Sequence, residues 1–308
     1  MDDSRRCDVL ALLESSPTTK ICAPMVRYSK LAFRCLVRQY GCDVAYTPMI
    51  IADSFLKSQK ARDADFTTND VDRPLIVQFA AKNPEEFASA AEMIAPDADG
   101  VDLNCGCPQR WAMQEGYGAC LIDEPQLIAD MIREARNRIT VYPFTVSVKI
   151  RIHKDIAQTV DFCRQVEQAG ASFITVHGRT KLQRCEPVNT EAVRLIKDSL
   201  SIPVVHNGDV NSLESMHRLV QETGADGVMA ARGILKNPAM FAGHGVDKQV
   251  LSNWVSTSMS CDTQFRCFHY HTGKMLESQT PKSERIAYST LQSTAAVLDY
   301  LQVNHDVG

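Results

Sequence analysis

Gly100-Val101-Asp102-Leu103-Asn104-Cys105-Gly106-Cys107-Pro108 opens as a buried strand and closes as a loop bearing a carboxamide and two thiols. The Gly-Cys-Pro exit stops the strand, because proline has no N–H to offer a ladder and glycine permits turns closed to other residues. A cysteine held on such a loop serves as proton donor, nucleophile, metal ligand or disulfide partner. Seven further short apolar runs, at residues 21–23, 44–46, 75–79, 146–150, 173–176, 203–205 and 227–229, bring the candidate strands to eight. The intervening residues 84–94, 125–138, 155–170, 190–200 and 212–224 have helical length and periodicity. Repeated βα units of this kind predict an α/β chain built as a parallel (β/α)8 TIM barrel.

Each run ends in chemistry. In chain order the ends read Pro24-Met25, Thr47, Gln78, residues 104–107, Lys149, His177, Asn207-Gly208-Asp209 and Ala231-Arg232-Gly233. The carboxyl ends of barrel strands share one face, so these residues are expected to converge on one pocket. A doubly wound open sheet is the alternative, but no G-x-G-x-x-G follows the first strand. After Asn237-Pro238 the rhythm stops. Ile286, Leu291, Ala295, Leu298 and Leu301 approximate one face of a long final helix. The expected division is a barrel over residues 1–242 and a small C-terminal helical domain over residues 243–308.

The two glycine turns at the seventh and eighth strand ends suit a phosphate, with exposed backbone N–H groups and the Arg232 fork; ordinary loop glycines are the competing reading. Lys149 ends an apolar strand, where an unpaired buried cation is expensive, so it should face the barrel mouth. A cation there would stabilise an anionic reduced flavin, and Gln78 offers donors and an acceptor for a pyrimidine edge. His177 would sit near cofactor or substrate. Taken singly each is more often a satisfied structural residue; their shared position is what carries weight.

Composition narrows the partners. Of 308 residues 44% are hydrophobic and 23% charged, and no run approaches the ~20 apolar residues that cross a bilayer. The acidic residues 1–4 lack the basic-then-apolar pattern of a secretory signal, so a cytosolic chain is expected. Eleven scattered cysteines read as reduced thiols. The Cys105/Cys107 pair lacks the second pair that a structural zinc site needs, and in the Cys261, Cys267, His269, His271 cluster Cys267 and His271 are one helical turn apart but aromatics interleave, so packing is the reading and no metal is expected. A net charge of −4 gives no global attraction to nucleic acid, so contact with a polyanion needs a local patch. Arg27, Lys30, Arg34 and Arg38 read as one stripe on the helix after Ser29, with Lys57, Lys60 and Arg62 as a second group. Solvated faces are the default for both, and phosphate-backbone contact the alternative.

Taken together, Ala23-Pro24-Met25-Val26-Arg27, Asp102-Leu103-Asn104-Cys105-Gly106-Cys107-Pro108, Val148-Lys149-Ile150-Arg151, Val176-His177-Gly178-Arg179-Thr180, Asn207-Gly208-Asp209 and Asp226-Gly227-Val228-Met229 resemble the tRNA-dihydrouridine synthase family across the barrel. Arg110-Trp111-Ala112-Met113 and Gly116-Tyr117-Gly118-Ala119-Cys120 look most like its eukaryotic type-four branch, associated with D-loop positions 20a and 20b. The resemblance implies an FMN enzyme that takes electrons from NADPH or NADH and reduces the C5=C6 bond of a uridine in the tRNA D-loop. It implies FMN contacts from Pro24, Met25, Val26, Gln78, Lys149, His177, Asn207, Gly208, Asp209, Ala231 and Arg232. Cys107 would be the proton donor, and Asn104 and Arg179 would bind substrate. Hydride delivered to C6 leaves enolate character across C5 and the C4 carbonyl, so C5 needs a proton from the other face; an ordinary cysteine thiol, with a pKa of about 8.5, carries one at neutral pH. Gly106, Gly116 and Gly118 would let the loop move over a nucleotide that has left its stack. Cys105 would be a packing residue.

Two departures from the family pattern stand out. Ala231 occupies a position that is glycine in many members, and the segment from Gly245 carries five basic and six acidic residues rather than a strongly basic face. The competing functions are an FMN barrel that reduces a free pyrimidine and a tRNA-binding protein without catalysis. A monomer, off the membrane, is expected.

Overall fold

In the computed structural model, which describes residues 6–307, the predicted strands form a closed parallel barrel. Residues 1–4, on which the cytosolic expectation rests, lie outside the described residues. The strands are β1 (Thr19–Cys22), β2 (Val44–Tyr46), β3 (Ile50–Ile51), β4 (Leu75–Ala80), β5 (Gly100–Cys105), β6 (Thr145–Arg151), β7 (Phe173–His177), β8 (Val204–Asn207) and β9 (Gly227–Ala230). Their order is β2-β1-β9-β8-β7-β6-β5-β4-β3, and a β2–β4 pairing closes the ring.

The ninth strand does not add a ninth stave. β2 pairs with the lower half of β4, Ala45 opposite Leu75, and β3 with the upper half, Ile50 opposite Phe79. Pro48, lacking an N–H, sits in the interruption, where Thr47 donates its N–H to Ile76 O at 3.0 Å and accepts the Gln78 N–H on Oγ1 at 3.1 Å. The strands are buried along almost their whole length, as in parallel sheets covered by helices on the outer face.

A helix that periodicity did not reveal, Val9–Ser15, packs at the amino-terminal end of the strands. Asp8 caps it, and Val9 and Leu13 are buried. Leu13 lies close enough to Gly227 that a Cβ there would stand 3.1 Å from its Cδ2.

After the barrel come four helices, Lys248–Ser260, Phe265–Leu276, Lys282–Ser289 and Thr294–His305. The long final helix expected from the sequence is therefore two helices. Ser293 caps the second by accepting the Ala296 N–H at 3.2 Å, which restarts the chain in a new direction, and Ile286 is left 58% exposed. Trp254 and Phe268 stack with centroids 6.0 Å apart, Trp254 meets Phe33 of the helix Leu31–Arg38 edge-on at 6.5 Å, and His271 stacks on Phe33 at 4.3 Å. Trp254, Phe268 and Phe33 are buried in the same core as β1, β2 and β9. At about 1.5–3 kcal/mol for each fully buried large apolar side chain, this seam fixes the helical segment to the barrel. No helix among the described residues is long and apolar enough to cross a membrane.

Candidate active site

The carboxyl ends of the strands surround a cavity of about 540 Å³. Pro24, Val26, Gln78, Asn104, Cys107, Lys149, His177, Asn207, Ala231 and Arg232 all line it, although they come from strand ends scattered over some two hundred positions. Four cations line it, Lys149, Arg151, Arg184 and Arg232, and no carboxylate among the described residues does. A smaller cavity of about 230 Å³ lies among Tyr270, Lys274, Tyr288 and Tyr300 in the C-terminal helices, away from every strand end.

The Cys107 loop is held by a directional chain of hydrogen bonds. Asn104 Oδ1 accepts the N–H groups of Cys107 at 2.9 Å and Gly106 at 3.2 Å, while its Nδ2 donates to Gln78 Oε1 at 2.8 Å. Gln78 Nε2 donates to Asp102 Oδ2 at 2.8 Å, and Ser147 Oγ donates to Asp102 Oδ1 at 2.7 Å. The chain runs from backbone donors to a buried carboxylate that only accepts, so each amide is locked in one orientation. Strand register explains the assembly: Asp102 lies opposite Gln78 on β4 and Ser147 on β6, and Asn104 opposite Lys149. Burial pushes the Asp102 carboxyl up to about 6, against the hydrogen bonds from Gln78 and Ser147 and the Lys149 charge.

This geometry adds structural roles to two of the expected groups. Asn104 uses its carbonyl and one amide N–H on the protein, so its first task is to shape the Cys107 loop. Two of the loop's glycines stand where a side chain would crowd the backbone. A Cβ on Gly106 would lie 3.3 Å from the Ile150 carbonyl carbon, and one on Gly118, whose φ is +72°, would lie 2.6 Å from Cys107 O. Only Gly116, with φ +82° and nothing within 4 Å, has open space. Arg151 completes the clamp by donating from Nε to Gly106 O at 3.0 Å and from Nη1 to Thr180 O and Gln183 O.

Lys149 reaches the cavity as expected. Burial, then the neighbouring Arg151 charge, lowers its ammonium from the ordinary range to about 8, with Asp102 pulling the other way. His177 is driven down to about 2 by burial and by Lys149, Arg151 and Arg179, so it is neutral. Arg179 Nη1 lies 3.2 Å from His177 Nε2. A guanidinium only donates, so Nε2 accepts and the ring proton sits on Nδ1.

Beside the main cavity a cup of about 60 Å³ is lined by His177, Arg179, Asn207, Gly208, Asp209, Ala231, Arg232 and Gly233. Gly208 takes φ +118° and Asp209 φ +55°, a left-handed pair. A Cβ on Gly208 would stand 2.5 Å from Val188 Cγ1 and 3.0 Å from His177 Cδ2, so the turn demands glycine twice over. The Asp209 carboxyl faces inward to the protein: Arg179 Nη2 donates to both oxygens at 2.6 and 2.7 Å, and the Val188 N–H to Oδ2 at 3.1 Å. Desolvation raises this carboxyl, but Arg179, Val188 and Arg232 outweigh it and the net shift is down. Ala231 has φ −118°, outside the left-handed region that would demand glycine. The space and donors of the cup fit a phosphate, and the cavity it adjoins has room for a ring system above Gln78, Lys149 and His177.

Gly208 and Asp209 line the cup alone, and two more expected residues, Met25 and Arg179, also stay out of the main cavity. Met25 is 8% exposed and packs into the core, its backbone N–H and C=O both engaged by Ser29. Arg179 is 1% exposed and its guanidinium is committed to Asp209, Glu186 O and His177, so it braces the cup wall. The basic stripe also dissolves. Arg34 is 1% exposed and forked onto the buried Asp72 at 2.9 and 2.6 Å, and Arg38 joins the same carboxylate at 3.3 Å. In the second group Arg62 donates to Phe55 O and Leu56 O, and Lys57 pairs with Asp53. All eleven cysteines are free thiols. His269 stacks on Tyr288 and His271 on Phe33, and among the described residues no group of three or more His, Cys, Asp or Glu is placed to hold a metal.

Sequence reading missed Arg151, Tyr28, Met49, Gln109 and Arg184, which also line the cavity. Arg151 was detectable, since it follows Lys149 by two on β6 and so shares its face. Tyr28, Met49 and Arg184 arrive from loops, where periodicity gives no signal.

Residues 21–303 match the family model described as dihydrouridine synthase. The chain is 53% identical over 298 residues to the mouse protein named tRNA-dihydrouridine(20a/20b) synthase [NAD(P)+]-like, covering 96% of this chain and 92% of that protein. It is 50% identical to the human protein of the same name, covering 98% and 96%, and 45% identical to the fission yeast tRNA-dihydrouridine(20a/20b) synthase [NAD(P)+], covering 91% and 86%. Among solved structures, the old yellow enzyme from Trypanosoma cruzi superposes with a TM-score of 0.52 at 12% identity, covering 71% of this chain and 85% of that one, a likeness of fold alone. A match over nearly the whole chain, centred on a barrel whose strand ends meet around Cys107, makes this protein a member of the dihydrouridine synthase family.

Proposed function

We propose that this protein reduces the C5=C6 bond of a uridine in the tRNA D-loop, at positions 20a and 20b, with FMN as cofactor and NADPH or NADH as electron source. The observation that carries the reading is the placement of Cys107 on the wall of the cavity that Lys149, His177 and Gln78 also line, beside the Gly208 phosphate cup. Gly208, Asn207, Asp209, Ala231 and Arg232 would hold the FMN phosphate, Asp209 through its backbone. Pro24 and Val26, with Gln78, Lys149 and His177, would hold the ring, and Met25, packed in the core, would support Pro24 and Val26 from behind. Bound FMN supplies the hydride for C6.

The chain's own residues do the rest. Lys149 balances negative charge in a cavity that holds no carboxylate among the described residues. The neutral His177 presents Nδ1–H as a fixed donor. Asn104 and Arg151 hold the loop that carries the Cys107 thiol, which protonates C5. Arg184, the lining cation used neither for FMN nor for the Cys107 loop, favours a phosphate-bearing substrate over a free pyrimidine. The helices of residues 243–308, locked to the barrel through Trp254 and Phe33, are the second surface for tRNA. The enzyme works as a monomer in the cytoplasm.

The test is Cys107→Ala in the flavin-loaded protein. NADPH should still bleach the flavin, while dihydrouridine formation in unmodified tRNA falls at least about 100-fold, the smaller end of general-acid contributions. Undiminished turnover would remove Cys107 from the reaction. Reduction of free uracil without tRNA would favour the free-pyrimidine enzyme. Flavin that never bleaches would leave a binding protein. Mapping the product to 20a and 20b fixes the position.

A further inference from the structure

Trp111 stands on the short helix Arg110–Gln114, immediately downstream of the Cys107 loop, with 44% of its surface exposed. Its exposure does not come from a loose helix. The next residue, Ala112, is fully buried against Ala80 at the end of β4 and against Tyr117, in a cluster that Met49 and Cys107 also join. The indole N–H donates to Gln109 Oε1, and Gln109 lines the cavity alongside Cys107 and Pro108. The ring is thus tied to the cavity wall with its one polar group satisfied. What remains on offer is an apolar π face, on the residue after the exposed Arg110 and one hydrogen bond from Gln109 of a cavity whose charged lining, among the described residues, is cationic.

Singly exposed aromatics are common on protein surfaces, so place must decide. A nucleotide can enter a cavity walled by strand ends only by leaving its stack, and this bares the face of the base next to it. An aromatic ring held at the rim replaces the lost neighbour, with no preference for one base over another. We propose that Trp111 is the platform on which the nucleotide adjacent to the reduced uridine stacks, so that it sets which stretch of the RNA is presented to Cys107. The inference rests on the tRNA reading above.

The chain has two tryptophans, and Trp254 is fully buried with its N–H on Thr272 Oγ1 at 2.9 Å. A change in tryptophan emission on adding RNA therefore reports Trp111. Titrating the flavin-loaded protein with unmodified tRNA transcript should quench the wild-type emission and leave that of Trp111→Phe unchanged. Replacing a stacked aromatic by alanine weakens binding roughly 5- to 150-fold, so Trp111→Ala should raise the KM for tRNA by that factor, and Trp111→Phe should restore it to within about threefold. Unquenched wild-type emission at saturating tRNA, a KM for Trp111→Ala within twofold of wild type, or equal losses in the Phe and Ala variants would each overturn the platform while dihydrouridine formation upheld the tRNA reading. A wild-type protein that forms no dihydrouridine would remove both.

Discussion

Gly116 and Gly118 make a matched pair in which backbone strain and contact can be separated. Both take left-handed φ, +82° and +72°, so an alanine at either position costs roughly 1–2 kcal/mol of strain in the folded state. Only Gly118 touches the proposed acid: a Cβ there would lie 2.6 Å from Cys107 O and 2.9 Å from Cys107 Cβ, whereas one at Gly116 meets nothing within 4 Å. To reach the 3.4 Å of ordinary contact, the Cys107 carbonyl or the Gly118 strand of the loop must shift by about 0.8 Å. The Ala119 N–H to Cys107 O bond, now 2.9 Å, is strained by the same movement. A misplacement near 1 Å in a reacting group costs up to about 100-fold in rate. Gly118→Ala should therefore slow uridine reduction about 10- to 100-fold under single turnover, with reduction of the flavin by NADPH within twofold of wild type. Gly116→Ala should lose a similar amount of stability in urea and keep the rate of uridine reduction to within about threefold. Equal rates for the two variants would refute the argument that Gly118 seats the thiol.

The remaining predictions concern charge and burial. Arg34→Met strands the Asp72 carboxylate in the core, with Arg38 at 3.3 Å and Thr68 as its remaining side-chain partners, and should cost about 3–5 kcal/mol by urea denaturation. The folded variant's affinity for tRNA should stay within twofold, contrary to a surface role for that arginine. Lys149 loses its proton near pH 8, so FMN affinity should weaken as pH rises from 7 to 9.5, and the trend should flatten in Lys149→Met. Because its pKa is lower folded than unfolded, the native state binds fewer protons between about 8 and 10.5, and this residue's contribution to the stability of the flavin-free protein rises with pH over that window. Cys105 is fully buried and its thiol is pushed well above the usual range by desolvation, so iodoacetamide should label Cys107 and spare Cys105, as read by peptide mass. Cys105→Ala should cost only about 1 kcal/mol.

Sequence by itself determined the barrel and the ring of strand ends, because buried parallel strands leave continuous apolar runs and because residues at their carboxyl ends must share a face whatever their separation along the chain. Gln78, Asn104, Cys107, Lys149, His177 and Asn207 were legible for that reason. Tertiary structure decided what each side chain spends its hydrogen bonds on. Arg34 and Arg38 fit an exposed helical stripe until Asp72, a loop residue 38 and 34 positions away, claims them both in the core. Arg179 follows His177 in an apparent substrate motif, yet Asp209 on the next turn takes its fork. The Cys107 glycines allow motion as a sequence, and the tertiary structure adds a second demand, since a Cβ on Gly118 or Gly106 would crowd Cys107 O or the Ile150 carbonyl. Periodicity records which face of an element is buried; it carries no record of the partner across the fold, and for a charged group the partner decides between a surface and a core role.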